Sequence, residues 1–154
     1  MTSRERSEHK ELLDKQAVID VANRLFIATD ERDWDAVLSC FADHVLFDMS
    51  SLTGGAAEPV PARRIVEGWH EGLRALKAVH HQAGNYVVAI RGDEADLFCY
   101  GMAIHYLPNP TNRNTRTFVG SYDLHLQRDG DAWRIDRFAF HLKFIDGNEE
   151  LESS

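Results

Sequence analysis

Residues 95–106 read Ala95-Asp96-Leu97-Phe98-Cys99-Tyr100-Gly101-Met102-Ala103-Ile104-His105-Tyr106, and the alternation in this run decides the fold. Successive side chains of a strand point to opposite faces of a sheet. One face therefore presents Leu97, Cys99, Gly101, Ala103 and His105, and the other presents Phe98, Tyr100, Met102, Ile104 and Tyr106. The second face is too apolar to stay in water as one contiguous patch. It predicts a homo-oligomer, dimer or trimer, that covers it, or long side chains laid across it. The first face is built of small residues. It either leaves room for a ligand cavity or lets helices pack closely, and both readings stay open at this point.

Outward from that strand, the whole region after Lys77 has period two. Turn signals at Gly92-Asp93, at Pro108 to Arg116 and at Asp129-Gly130-Asp131 divide it into strands near 81–91, 95–107, 117–128 and 132–144. The first half has helical spacing instead. Leu12 to about Thr29 reads as a long helix. Asp33 reads as the N-cap of a second, short one running through Trp34, Val37, Leu38 and Phe41. Val45 to Met49 reads as a short strand, and Ser50 to Pro61 as a loop containing Gly54-Gly55 and two prolines. Ile65, Trp69, Leu73 and Leu76 mark a third helix. Residues 1–8 and 147–154 are polar and are expected to fray. Helices first and a strand meander later predict an α+β fold with helices on one side of an antiparallel sheet. The expectation is one domain over residues 1–154, with an ordered core at about 10–145.

The composition narrows the function. A net charge of -8 argues against nucleic acid and anionic membrane surfaces as partners. No apolar run approaches a membrane span, and the polar start Met1 to Lys10 does not read as a signal peptide, so the chain is expected in the cytoplasm. The two cysteines, Cys40 and Cys99, lack metal-type spacing and read as buried free thiols. No nucleophile elbow, phosphate loop or dinucleotide fingerprint is present.

Chemistry is concentrated at Asp30. Ile19, Ala22 and Phe26 form the inward stripe of the first helix, and Asp30 falls four residues further along it. A carboxylate in a core is costly unless it is paired or hydrogen-bonded. His81, in His80-His81-Gln82-Ala83-Gly84-Asn85, opens a strand and supplies a candidate partner. Such a pair can be an acid/base device or a buried bond that fixes a helix on a sheet. His80 points the opposite way and is expected to be exposed. His125 and His141 read as surface or interface residues. Tyr122 adds a phenolic donor if its strand face turns inward, which sends Asp123 outward. Phe26, Phe47, Met49, Leu52 and Trp69 would line a hydrophobic cavity for a small molecule, although Trp69 also fits a plain core position. Asp30, His81 and His105 have the residue types of a two-His-one-carboxylate metal set. No His-x-His or His-x-x-x-His spacing accompanies them, and neither a metal nor another cofactor is expected.

Thr29-Asp30-Glu31-Arg32-Asp33-Trp34-Asp35 after the first helix and His81-x-x-x-Asn85 opening a strand resemble the SnoaL-like branch of the NTF2-like superfamily, as do Gly120-Ser121-Tyr122 and Asp131-Ala132-Trp133-Arg134-Ile135. The resemblance runs from about residue 10 to 145. It implies a cone: a curved antiparallel sheet wrapped by helices around a pocket. Within that superfamily the Asp and His positions are similar to those of scytalone dehydratase, the hexachlorocyclohexane dehydrochlorinase and the bile-acid dehydratase. The resemblance implies a cofactor-independent lyase or isomerase acting on a small hydrophobic cyclic metabolite. Asp30 would be the orienting carboxylate, His81 the base, and His105 a second pocket histidine that donates a proton or holds an oxyanion. Thr29 and Met49 stand where the scytalone enzyme has pocket tyrosines, so general elimination chemistry is implied rather than that one activity. The alternative on the same fold is a non-catalytic binding or assembly module.

Overall fold

The computed structural model describes all residues from Met1 to Ser154. The first helix, α1, spans Ser3–Glu31 and starts nine residues earlier than its apolar stripe predicts. The polar start does not fray because Thr2 and Glu5 form a reciprocal capping box, with Glu5 N donating to Thr2 Oγ1 at 3.1 Å and Thr2 N to Glu5 Oε2 at 2.6 Å. Pairs four residues apart, Arg4–Glu8 and Lys10–Asp14, then support the exposed early turns. The helix ends at Arg32, which adopts a left-handed conformation. Its guanidinium donates to the carbonyls of Leu73 and Leu76 and so ties the end of α1 to the end of the later helix α4 (Ala62–Leu73).

The short helix α2 (Trp34–Ser39) is capped by Asp33, as its sequence predicts. It stops two residues before Phe41. Phe41 instead begins strand β1 (Phe41–Asp48), where it is buried opposite Ile135 and against Trp69 and Phe138. The expected loop 50–61 holds two small elements, α3 (Ser50–Thr53) and β2 (Glu58–Pro61). Two prolines fit in β2 because it is an edge strand and owes no N–H to a second neighbour.

The four long strands are β3 (Ala78–Arg91), β4 (Glu94–Tyr106), β5 (Thr115–Asp129) and β6 (Ala132–Gly147). With β1 and β2 they make one curved, unclosed six-stranded sheet in the order β2-β1-β6-β5-β4-β3. All neighbours are antiparallel except β1 and β6, which run parallel. The sheet is therefore mixed, a correction to the all-antiparallel expectation. The helices lie on its inner face and form an α+β cone over the core.

The β4 faces are those that the alternation predicts. Leu97, Cys99, Gly101 and Ala103 are buried, while Tyr100 and Met102 are exposed. Gly101 has a specific reason to be glycine: a Cβ there would lie 2.2 Å from the ring of Tyr122. Asn85 sits at a bulge of β3 with φ 58, a left-handed position that asparagine tolerates. The C-terminal residues also depart from the fraying expectation. Leu151, in a 3-10 turn at Leu151–Ser153, is fully buried against Leu76 and Val79. No helix is long and apolar enough to cross a membrane.

Candidate active site

A cavity of about 280 Å³ lies between the inner sheet face and helices α1, α3 and α4. Its floor contains Ala103, whereas the space beside Gly101 on the same face of β4 is filled by the Tyr122 ring. Phe26 from α1, Met49 and Leu52 around α3, Trp69 from α4 and Tyr122 from β5 line the cavity. Phe47 does not reach it. Its ring stacks on Phe138 at 5.7 Å and tilts against Trp69, so it backs the wall rather than forming it. Phe118, Phe138 and Phe140 also line the cavity, with Gly68, Gly72 and Leu73 of α4, and the sequence does not predict them. Phe118 shares strand parity with Tyr122, and Phe138 and Phe140 share parity with each other. That signal was readable, but which face of β6 turns inward was not.

Asp30, in the last turn of α1, reaches His81 at two points. Asp30 Oδ1 lies 2.6 Å from His81 Nδ1, and Asp30 Oδ2 accepts from the His81 backbone N–H at 2.8 Å. The second bond has a topological cause. β3 is one of the two edge strands, so this backbone donor has no neighbouring strand to serve, and the carboxylate satisfies it. Backbone and ring are thus clamped by one group. A carboxylate only accepts, so Nδ1 carries a proton, and in the neutral ring the lone pair lies on Nε2. Nε2 makes no hydrogen bond within the protein, and His81 lines the cavity, stacked on Phe26 at 5.7 Å. The imidazole and carboxylate are 15% and 17% exposed, which leaves the pair mostly out of water.

His105, also in the lining, has the opposite arrangement. Its Nδ1 accepts from Arg116 Nη2 at 2.9 Å. A guanidinium has no acceptor, so Nδ1 must be unprotonated and the proton sits on Nε2. Burial, with the Arg116 charge second and the His81 charge third, pushes the His105 pKa down to about 4. This ring is a neutral hydrogen-bond donor at neutral pH, a narrower role than proton donation.

Tyr122 faces inward and Asp123 outward, which resolves the strand parity. Its ring is wedged among Phe26, Phe138 and Phe140. Burial raises the phenol pKa, so the hydroxyl stays protonated, and it has no hydrogen-bond partner in the protein. Thr29 also lines the cavity, with its hydroxyl donating to the Leu25 carbonyl at 2.7 Å. His80 is exposed, beside Gln82. Both cysteines are buried and free, and burial lifts the Cys99 thiol to about 12. Asp30, His81 and His105 do not form a metal-ligand set. Both Asp30 oxygens are committed to His81, and His105 Nδ1 is committed to Arg116.

The site therefore presents one oriented imidazole and two neutral donors inside apolar walls. Among the lining residues no carboxylate, lysine or arginine is found. Such a cavity suits an uncharged molecule and reactions in which a proton leaves carbon.

The chain belongs to the SnoaL-like domain family, whose model matches residues 10–139. Solved structures with the same fold include the Kfla4162 protein from Kribbella flavida, with 24% identity and a TM-score of 0.87 over 94% of this chain and 99% of that one. A candidate scytalone dehydratase from Novosphingobium aromaticivorans is 12% identical, with a TM-score of 0.80 over 92% of both chains. The hexachlorocyclohexane dehydrochlorinase LinA-type3 from Novosphingobium barchaimii LL02 is 12% identical, with a TM-score of 0.73 over 92% of this chain and 94% of that one. At these identities the likeness is one of fold. No functionally curated protein matches the sequence.

Proposed function

We propose that this protein is a cofactor-independent lyase or isomerase of the cytoplasm, dehydratase-like in its chemistry, acting on a small neutral ring compound such as a polyketide, terpenoid, steroid or aromatic metabolite. One observation carries this reading. Asp30 spends both oxygens on His81, and the remaining ring nitrogen belongs to an apolar cavity.

His81 Nε2 takes a proton from a carbon beside a carbonyl or next to a leaving group. The C–H electron pair becomes the new C=C bond. In an elimination the leaving oxygen departs with the electrons of its own bond and receives the proton back from His81, so one alcohol becomes one alkene and one water. In an isomerisation the proton returns to a different carbon. Asp30 stabilises the imidazolium that exists between the two transfers. His105 Nε2–H and the Tyr122 hydroxyl hold the oxygen on which negative charge grows, as preorganised neutral donors. The named activities of the dehydratase and dehydrochlorinase that share this fold are of the same type.

A screen of small cyclic alcohols and ketones, read by loss of substrate, tests the proposal. Turnover that disappears in His81→Ala and Asp30→Asn with the melting temperature kept supports it. Full activity of His81→Ala on a verified substrate overturns it. Ligand binding without turnover in the parent protein points instead to a binding module.

The outer sheet face supports a homo-oligomer. Tyr100 and Met102 are exposed there, Phe98 packs edge-on against Tyr100, and Lys143 covers the Tyr100 ring at 4.0 Å. A dimer or trimer in sedimentation experiments at micromolar concentration is expected, with Met102→Glu shifting it toward monomer. A monomeric parent protein contradicts the assembly.

A further inference from the structure

The strand register places Arg116 directly opposite His105. Arg116 is also the point where the C-terminal segment closes on the body of the protein. Its Nη1 donates to Glu152 Oε2 at 2.9 Å and to the Glu149 carbonyl at 3.2 Å. Its Nη2 donates to Glu152 Oε1 at 2.6 Å and to His105 Nδ1 at 2.9 Å. All four terminal N–H groups of the guanidinium are thereby used, in one geometry. The segment that brings Glu152 there is itself pinned. Leu151 is buried against Leu76 and Val79, and the Asn148 backbone N–H donates to Thr115. Gly147, at φ 92, permits the turn, since a Cβ there would lie 2.4 Å from the Thr115 carbonyl oxygen.

The fifth donor, Arg116 Nε, is buried without a partner. An orphaned buried N–H is a cost, and an ion pair to a carboxylate as exposed as Glu152 contributes little to stability. Stability alone gives a poor account of this arginine. Its contact with His105 gives a better one.

We infer that Arg116, held by Glu152 of the C-terminal turn, is a positioning residue that locks His105 in the neutral Nε2–H tautomer facing the cavity. The C-terminal segment is then part of the machinery of the site, although it contributes no lining side chain. The consequence for turnover rests on the catalytic reading above; the tautomer itself does not. The charged and titratable groups that bear on His105 are Arg116 from β5, His81 from β3, Asp30 from α1 and Glu152 from the C-terminal turn. Removal of the arginine charge raises the His105 pKa toward the ordinary histidine range.

The test is ¹⁵N imidazole NMR of the ligand-free protein across pH, on the parent chain and on Arg116→Met, Arg116→Lys and Glu152→Gln. The parent is expected to show His105 as Nε2–H and neutral at pH 6. Arg116→Met should give mixed tautomers and a ring that titrates at higher pH, Arg116→Lys a partial return to the parent signal, and Glu152→Gln an intermediate state. An Nδ1–H or protonated His105 in the parent at pH 6 overturns the inference, and so does an unchanged His105 signal in Arg116→Met. Should Arg116→Met not fold, the parent signal and the more exposed Glu152→Gln decide. An unchanged His105 in Glu152→Gln removes Glu152 from the arrangement. On a verified substrate, Arg116→Met should lower kcat by about tenfold or more with little change in KM, because a donor made in the transition state is misplaced rather than deleted. A lost His105 tautomer alongside inactive His81→Ala supports both readings. A locked tautomer in a protein whose His81→Ala variant stays active sinks the catalytic reading alone.

Discussion

Of three Asp–His pairs, the two that are mostly shielded from water lie on opposite faces of the sheet, and their difference shows what makes one of them a candidate for chemistry. On the inner face Asp30 holds His81 Nδ1 at 2.6 Å; on the outer face Asp136 holds His125 Nδ1 at 2.5 Å. Burial does not separate them strongly: the imidazoles are 15% and 21% exposed. The second ring nitrogen does. His125 Nε2 meets another carboxylate, Glu94, at 3.2 Å, whereas His81 Nε2 has only the cavity before it. His125 is thus fastened at both ring nitrogens and has none free to face a ligand. His81 is held at one nitrogen and turns the other toward an apolar space, which is the arrangement the proposed base requires. Backbone geometry makes both pairs. Asp136 is the extra residue of a bulge between β5 and β6, and Asp30 serves the unpaired edge of β3.

The sharpest way to break this contrast is to delete both rings. His81→Ala should lower kcat by about 10²–10⁴, while His125→Ala should leave turnover within about twofold, because a surface ion pair contributes to stability and not to the reaction. Equal losses at the two positions would erase the distinction. A smaller effect is expected from the packing that shapes the inner face. Gly101→Ala puts a methyl 2.2 Å from the Tyr122 ring. It should cost about 1–3 kcal/mol in chemical denaturation by overpacking, and also reduce turnover by moving the phenol. A variant as stable as the parent would mean that the ring shifts freely.

The second inner histidine gives a pH signature. Folded His105 stays neutral down to about pH 4, whereas in the unfolded chain it takes a proton near 6.5. Between those values the unfolded state binds more protons, so stability falls as pH falls, by up to about 1.4 kcal/mol per pH unit. The lowered carboxyl groups of Asp14 and Glu152 act in the same direction, but only as pH drops through and below their ordinary values of 3.8 and 4.5. Urea melts between pH 4.5 and 6.5 should thus be flatter for His105→Gln than for the parent. Parallel slopes would remove the buried neutral histidine. The smallest effect belongs to the outer pair. His125→Gln should change stability by less than about 1 kcal/mol, and by less still in high salt.

Several features of the site were legible in advance because they are local. Asp30 lies on the buried stripe of α1 at helical spacing, and His81 opens a strand whose alternation sends it inward while His80 faces water. Other features lacked a local signal. Phe41 reads as the end of a helix and becomes the start of a strand, because burial against Trp69 and Phe138 outweighs the propensity of its neighbours. The strand β2 lies in a stretch rich in proline and glycine and exists because β1 offers it an edge. The polar C-terminus gave no sign that Leu151 would be buried.

Periodicity, caps and turn residues by themselves determined the α+β order of elements, the two faces of β4 and the candidacy of Asp30 and His81, since each depends on neighbours a few positions away. The tertiary structure decided the rest. It set the parallel pairing of β1 with β6, the retreat of Phe47 behind the wall, and the pairing of His105 with Arg116 and Glu152. These contacts join residues 11 to about 90 positions apart. Their register is fixed by which strand edges and apolar faces remain to be covered, and no short window of sequence contains that information.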